Sequence, residues 1–165
     1  MNKSVLRTVL QRELRAVRRQ LEAYPDDAAV WREVPGLPNT GGTLALHLAG
    51  NLRHFFGATL GSDGYVRNRD SEFSARGTSR AELIAGIEGA AAAVDAALDS
   101  MGEAGWRVPY PEPIANRRVA TDQFLVHLAT HLAYHLGQLD YHRRAVTGDR
   151  SGLDAVSVRE LPEIA

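Results

Sequence analysis

Residues 121–146 read TDQFLVHLATHLAYHLGQLDYHRRAV, and their spacing decides the fold. With about 100° per residue and His127 set at zero, Leu128, Leu132, Leu136 and Leu139 fall at roughly 100–180°. A second stripe borders them: Gln138 near 20°, His131 near 40°, His142 near 60° and His135 near 80°, all approximate wheel angles. This is one long amphipathic helix, expected from Thr121 to just before Gly148, with histidines along the edge of its apolar face. Such a stripe is stable only when other stripes cover it.

Three further segments supply them. From about Ser4 to Tyr24, Leu6, Leu10, Leu14, Val17, Leu21 and Tyr24 recur at steps of three and four, and Pro25 limits the helix. Residues 26–38, with Trp31 and two prolines, read as a connection holding one short turn. Asn39 or Thr40 caps a second helix that runs to about Leu60, with Gly61 after it. A polar loop, GSDGYVRNRDSEFSARG, follows at 61–77. Ser79 and Glu82 form a capping box for a third, alanine-rich helix that ends near Gly102. Residues 102–120 hold three prolines and read as a stiff loop. Four helices with one apolar face each predict an all-α four-helix bundle over residues 1–148, with a C-terminal tail, 149–165, packed on it.

Composition removes many chemistries. The 165 residues include no cysteine, which excludes disulfides, iron–sulfur clusters, thiolate zinc sites and a cysteine nucleophile. The single lysine is Lys3, and no GxxxxGK[ST] loop occurs, which argues against Schiff-base and phosphate-loop chemistry. No G-x-S-x-G elbow is present. The net charge is −1, so nothing draws the chain towards nucleic acid. Basic residues do cluster on the first helix, from Lys3 and Arg7 to Arg19, and are read as its solvated face. The first 24 residues have no apolar core and no small-residue cleavage site, and no stretch suits a membrane helix. A cytoplasmic protein is expected.

What remains for chemistry is the six histidines, two on the second helix (His47, His54) and four on the last (His127, His131, His135, His142). Two imidazoles at i and i+4 can hold one metal ion. Three at i, i+4 and i+8 cannot, because the outer two stand about 12 Å apart along the axis while a metal–nitrogen bond is about 2 Å. Spacing leaves open whether the pair is His127/His131 or His131/His135. A third ligand must come from another helix, where His47 and His54 are available. Carboxylate ligation is less favoured, since the last helix offers only Asp122 and Asp140 and the second none.

The element H-L-A-Y-H-L-G-Q at 131–138 resembles the H-x-x-x-H-x-G-Q motif on the last helix of the DinB/YfiT-like metalloenzyme superfamily. HLAGNLRHFFG, from His47, resembles that superfamily's ligand-bearing second helix, and GYVRNRDSEFS resembles a loop of one of its branches. The resemblance spans about residues 1–148. It implies an up-up-down-down four-helix bundle and a divalent metal, zinc or nickel, on His47, His131 and His135. Gln138 then neighbours the site, and His54, His127 and His142 lie outside it. The superfamily includes transferases that use low-molecular-weight thiols, which implies a small-molecule substrate and an external thiol as cofactor. A homodimer, through the alanine face of the third helix, is a further expectation.

On this basis Arg67 and Arg69 are candidates for pairing with a carboxylate of the thiol cofactor, and Tyr134 for a proton donor near the ligands. Asn51 and Gln138, with Asp122, are candidates to orient the ligating rings. Two functions compete. One is a metal-dependent S-transferase or hydrolase acting on a small molecule. The other is a metal-binding or vestigial-site bundle serving as a stress-response or partner-binding module. A coordination position open towards a concave pocket favours the first.

Overall fold

The computed structural model describes residues 2–163, and within them the chain is all-helical, with no strand and only two isolated bridges, Pro109 to Ala120 and Ile114 to Arg117. Helix α1 is Lys3–Glu22, opened by the Asn2 side chain on the Ser4 amide. A single turn, α2 (Asp27–Val30), is capped by Asp26. Helix α3 is Gly41–Leu52, and the side chain of Thr40, rather than Asn39, accepts its first free amide. It continues into a π-helical turn, Arg53–Ala58, instead of remaining α-helical to Leu60. A short helix, α4 (Arg69–Ser74), interrupts the segment expected to be loop. Helix α5 is Arg80–Ser100, with the Ser79/Glu82 capping box formed in full. Helix α6 is Thr121–Thr147, ended by Gly148 at φ +75°, where glycine carries no Cβ penalty.

The long helices α1, α3, α5 and α6 are the four rods of the bundle. Their directions follow from cross-contacts. Arg7 meets Asp95, and Gln11 donates to the Ala91 carbonyl, so α1 and α5 are antiparallel. Gly86 lies against Ala49 and Gly57 against Ala93, so α3 and α5 are parallel. Gly41 faces Leu139 while Phe55 meets Phe124, so α3 and α6 are antiparallel. The topology is therefore up-down-down-up, which corrects the up-up-down-down order implied by the resemblance. The long connection 53–79 carries the chain back along the bundle, letting α5 run the same way as α3. Ala93 and Ala97 face Gly57 and Gly61, in and just after the π-helical turn that follows α3, within the molecule.

The apolar stripes meet as their spacing requires. Leu10, Val17 and Leu21 of α1, Leu48 and Leu52 of α3, Ile87 and Leu98 of α5, and Leu125, Leu132 and Leu136 of α6 are all buried in one core. Each such side chain contributes about 1.5–3 kcal/mol by leaving water. No helix among the described residues is long and apolar enough to cross a membrane.

The basic face of α1 is not a free solvated surface. Arg12 is buried on Glu13, Arg7 pairs with Asp95 and Asp99, and Arg18 pairs with Glu22 and Glu88. Arg15 and Arg19 both reach Glu160 in the tail. Fully buried Arg143 of α6 joins Gln20 of α1 at 2.7 Å, Asp149 at 2.9 Å and the Ser151 carbonyl. His142 is absorbed by the core: its Nε2–H donates to the Arg32 carbonyl at 2.9 Å, leaving Nδ1 to accept from the Tyr24 hydroxyl at 2.7 Å. Burial holds this imidazole below its ordinary pKa, in spite of the Arg32 carbonyl.

Replacing Tyr24 by Phe strands the His142 Nδ1 lone pair in the core. Urea unfolding of Tyr24→Phe is expected to show a loss of about 1–3 kcal/mol with unchanged far-ultraviolet circular dichroism. An unaltered midpoint would show that this pair contributes nothing.

Candidate metal centre

Antiparallel α3 and α6 bring His47 beside His131 and His135. The Nε2 of His47 lies 3.3 Å from the Nε2 of His131, and the Nε2 of His135 lies 3.1 Å from that same atom. All three ligand atoms fall within 4.8 Å of one another. His47 is buried and the two α6 histidines are half-buried, so the cluster is closed on the α3 side and open beside α6.

The outward ring nitrogens decide the tautomers. His47 Nδ1 donates to Glu72 Oε2 at 2.9 Å, because a carboxylate only accepts. His135 Nδ1 donates to the Gln138 amide oxygen at 2.7 Å. Both protons are thereby held away from the centre, and both Nε2 lone pairs point inward. Such partners are the usual support of metal-ligating imidazoles.

His131 completes the picture. Burial, then the neighbouring imidazoles, push its pKa down to about 4, so it is neutral near pH 7. Its Nδ1 is buried with no partner among the described residues. Nδ1 lacks a partner in either tautomer, and with the proton placed there three Nε2 lone pairs also face each other. A cation would accept all three of those lone pairs. Tetrahedral ligation with bonds of about 2.0–2.1 Å sets ligand nitrogens about 3.3–3.4 Å apart, close to the separations found. The donor set therefore fits a divalent metal.

Glu72 is the site residue that sequence reading missed. It sits on α4, folded over α3, and its two oxygens accept from Arg67 Nε at 2.6 Å and Nη2 at 2.8 Å while Oε2 also accepts from the His47 Nδ1–H. Burial alone would raise its pKa, but Arg67 and His47 outweigh that and hold it below the usual carboxylate range. Gly50 makes room for it, because a Cβ there would strike the Glu72 carboxylate. The available signal was Asn68, an N-cap accepting from Ser71, ahead of acidic Asp70 and Glu72.

The other expected residues fall as follows. The carboxylate that Arg67 meets is the chain's own Glu72. Arg69 is exposed, with its guanidinium 5.1 Å from the Phe73 ring centre. Tyr134 is exposed and stands edge-on to His135, ring centres 5.2 Å apart. Asn51 is buried beside the cluster with its Oδ1 unpartnered among the described residues, whereas Gln138 is bound to His135. Asp122 accepts from the Gln123 amide at the start of α6, away from the cluster. His54 pairs with Glu112 at 3.0 Å, and exposed His127 stacks on Phe124. A groove of about 430 Å³ lies one turn from the histidines, lined by Leu44 of α3 and by Tyr134, Gly137, Gln138 and Tyr141 of α6.

The imidazoles of His131, His135 and His142 all have folded-state pKa values below the ordinary 6.5, with burial the leading cause. The unfolded chain therefore binds more protons than the folded one between about pH 6.5 and pH 4, and stability falls as pH drops through that window. Urea midpoints measured in chelator are expected to decline steadily from pH 7 to pH 5 and to be level above pH 7. A flat profile would mean that these rings are not held neutral by the fold.

A comparison with individually curated proteins gave no match. A family model does match, and it covers residues 5–148, from α1 through the last turn of α6 and with it every residue of the histidine cluster and its partners. That model is described as Mycothiol-S-transferase, and this chain belongs to the mycothiol S-transferase family, within the DinB/YfiT-like superfamily.

Proposed function

We propose that this protein is a metal-dependent S-transferase that joins a low-molecular-weight thiol, mycothiol or a close equivalent, to a small electrophile. The observation that carries this reading is the convergence of three histidine Nε2 atoms, with two of the rings held by hydrogen bonds donated outward to Glu72 and Gln138. His47, His131 and His135 would hold the metal, and their all-nitrogen set suits zinc or nickel. When bound, such a cation supplies Lewis acidity that favours the thiolate of a thiol near neutral pH.

The chain's own residues do the rest. Glu72 keeps the His47 proton on Nδ1, and Arg67 keeps Glu72 ionised. Gln138 does for His135 what Glu72 does for His47. Buried His47 closes one side to water, while half-buried His131 and His135 leave the approach for reactants. The chain has no thiol, so the sulfur comes from outside. Exposed Arg69, at the rim, is assigned to the polar body of that thiol, and the Tyr134 hydroxyl to the mouth of the site. The thiol loses its proton to solvent. Its sulfur then bonds the electrophilic carbon as the bond to the leaving group breaks, and that group departs with the electron pair. No oxidant or reductant is involved. Small thiols are kept reduced in the cytoplasm, where we place the reaction.

Elemental analysis of tag-free protein is expected to show near-stoichiometric metal, absent from His47→Ala, His131→Ala and His135→Ala. Glu72→Gln should bind metal about 10–100-fold more weakly. Thiol consumption with a chromogenic electrophile should need the metal and fall at least about 100-fold in His131→Ala, a loss of roughly 2.7 kcal/mol of barrier lowering. Undiminished metal in any of the three alanine variants would remove that residue from the ligand set.

A further inference from the structure

Gly137 is the only glycine within α6, a helix of 27 residues. Glycine costs about 1 kcal/mol there relative to alanine. Nothing on the inside requires it: a Cβ at Gly137 would meet no atom within 4 Å, and its φ is not in the left-handed region. What the missing side chain does is leave bare the floor of the groove beside the histidines. The two tyrosines flanking that floor, Tyr134 and Tyr141, are 64% and 68% exposed, and Leu37 on the facing loop is 40% exposed. These are large apolar surfaces left in water around one concavity.

The groove flanks the metal centre on the outer side of His135, where Gln138 and Tyr134 belong to both surroundings. Leu44 lies three residues before His47 on α3, and Gln138 lies three after His135 on α6. Gln138 is shared: its amide oxygen holds His135 and its side chain lines the groove. The volume of about 430 Å³ is within the range of small-molecule sites. A second, polar cavity lined by Glu33, Thr40 and Arg76 adjoins the same 37–39 strap, so polar groups have a separate place. We propose that the groove between Leu44 and Gly137 binds the apolar, aryl or alkyl, group of the electrophile and presents its reactive carbon towards the histidine cluster. This rests on the transferase reading above and adds the substrate class: electrophiles with a hydrophobic body, rather than small polar ones.

The test separates the two readings. Isotope-labelled protein is titrated with benzyl alcohol, an unreactive aromatic probe that needs neither metal nor thiol. The amides of Asn39, Leu44 and Gly137 are expected to shift together, and Gly137→Leu, which fills the groove and raises helix propensity, should weaken binding at least tenfold without loss of fold. In parallel, alkyl bromides from methyl to pentyl are offered with a small thiol. The specificity constant should rise about threefold to fourfold per methylene in the parent protein and be nearly flat in Gly137→Leu. Shifts centred elsewhere, or none, overturn the proposal. So does a dimer in sedimentation that Gly137→Leu abolishes, because a second copy would then cover the face. If transfer proceeds with the same chain-length dependence in Gly137→Leu, the groove assignment fails and the transferase stands. If benzyl alcohol binds in the groove but no electrophile reacts, the transferase reading fails and the groove stands as an apolar ligand site.

Discussion

Three imidazoles turn their Nε2 atoms towards one point, an arrangement that a cation completes. Everything around the cluster serves to hold that arrangement. The antiparallel pairing of α3 and α6 sets His47 opposite His131 and His135. Glu72 and Gln138 then stop two of the rings from turning over, because rotation would break a buried 2.9 Å and a half-buried 2.7 Å hydrogen bond. Gly50 makes its contribution by lacking a side chain where the Glu72 carboxylate must sit. The core leucines along α3 and α6 supply the rigidity that such positioning needs.

The charge balance of the site has a chemical consequence. Among the described residues the one carboxylate that meets these imidazoles, Glu72, is matched by Arg67 with two hydrogen bonds. A dication held there keeps most of its positive charge, instead of having it cancelled by acidic ligands. Such a centre would attract an anion, as the proposed reaction needs for its thiolate. Had Glu72 itself ligated the metal, the site would be less electrophilic. Arg67 and His47 together keep that carboxylate in the outer position.

Periodicity carried the bundle well. Leucine spacing, the Ser79/Glu82 box and Gly148 marked α1, α5 and α6 to within a residue or two, because these signals are local and each has a direct backbone cause. Direction was not legible. Long connections leave it to global packing, and the up-down-down-up order appears only in cross-contacts such as Gly57 against Ala93. The π-turn at Arg53–Ala58 was also hidden, since no residue type announces an i→i+5 bond such as Thr59 to the His54 carbonyl. Within the site, helical arithmetic showed that at most two histidines of α6 can share an ion, but could not say which two. Glu72 escaped because six residues are too short for a periodic pattern, and its partner His47 lies 25 positions away.

The transfer we propose, in a protein without cysteine, brings two reactants to the site at once. The asymmetry of the cluster suits that need. His47 is sealed behind α4, with Phe73 5.1 Å from its ring, so reactants cannot enter there. On the α6 side the rings are half-exposed, the groove runs towards the start of α3, and Arg69 stands free of ion pairs among the described residues. An apolar surface at Gln138 and a cationic one at Arg69 thus flank the cluster. That division is what a reaction between a polar thiol and a hydrophobic electrophile requires, because each partner can be oriented by its own surface before the sulfur and carbon meet.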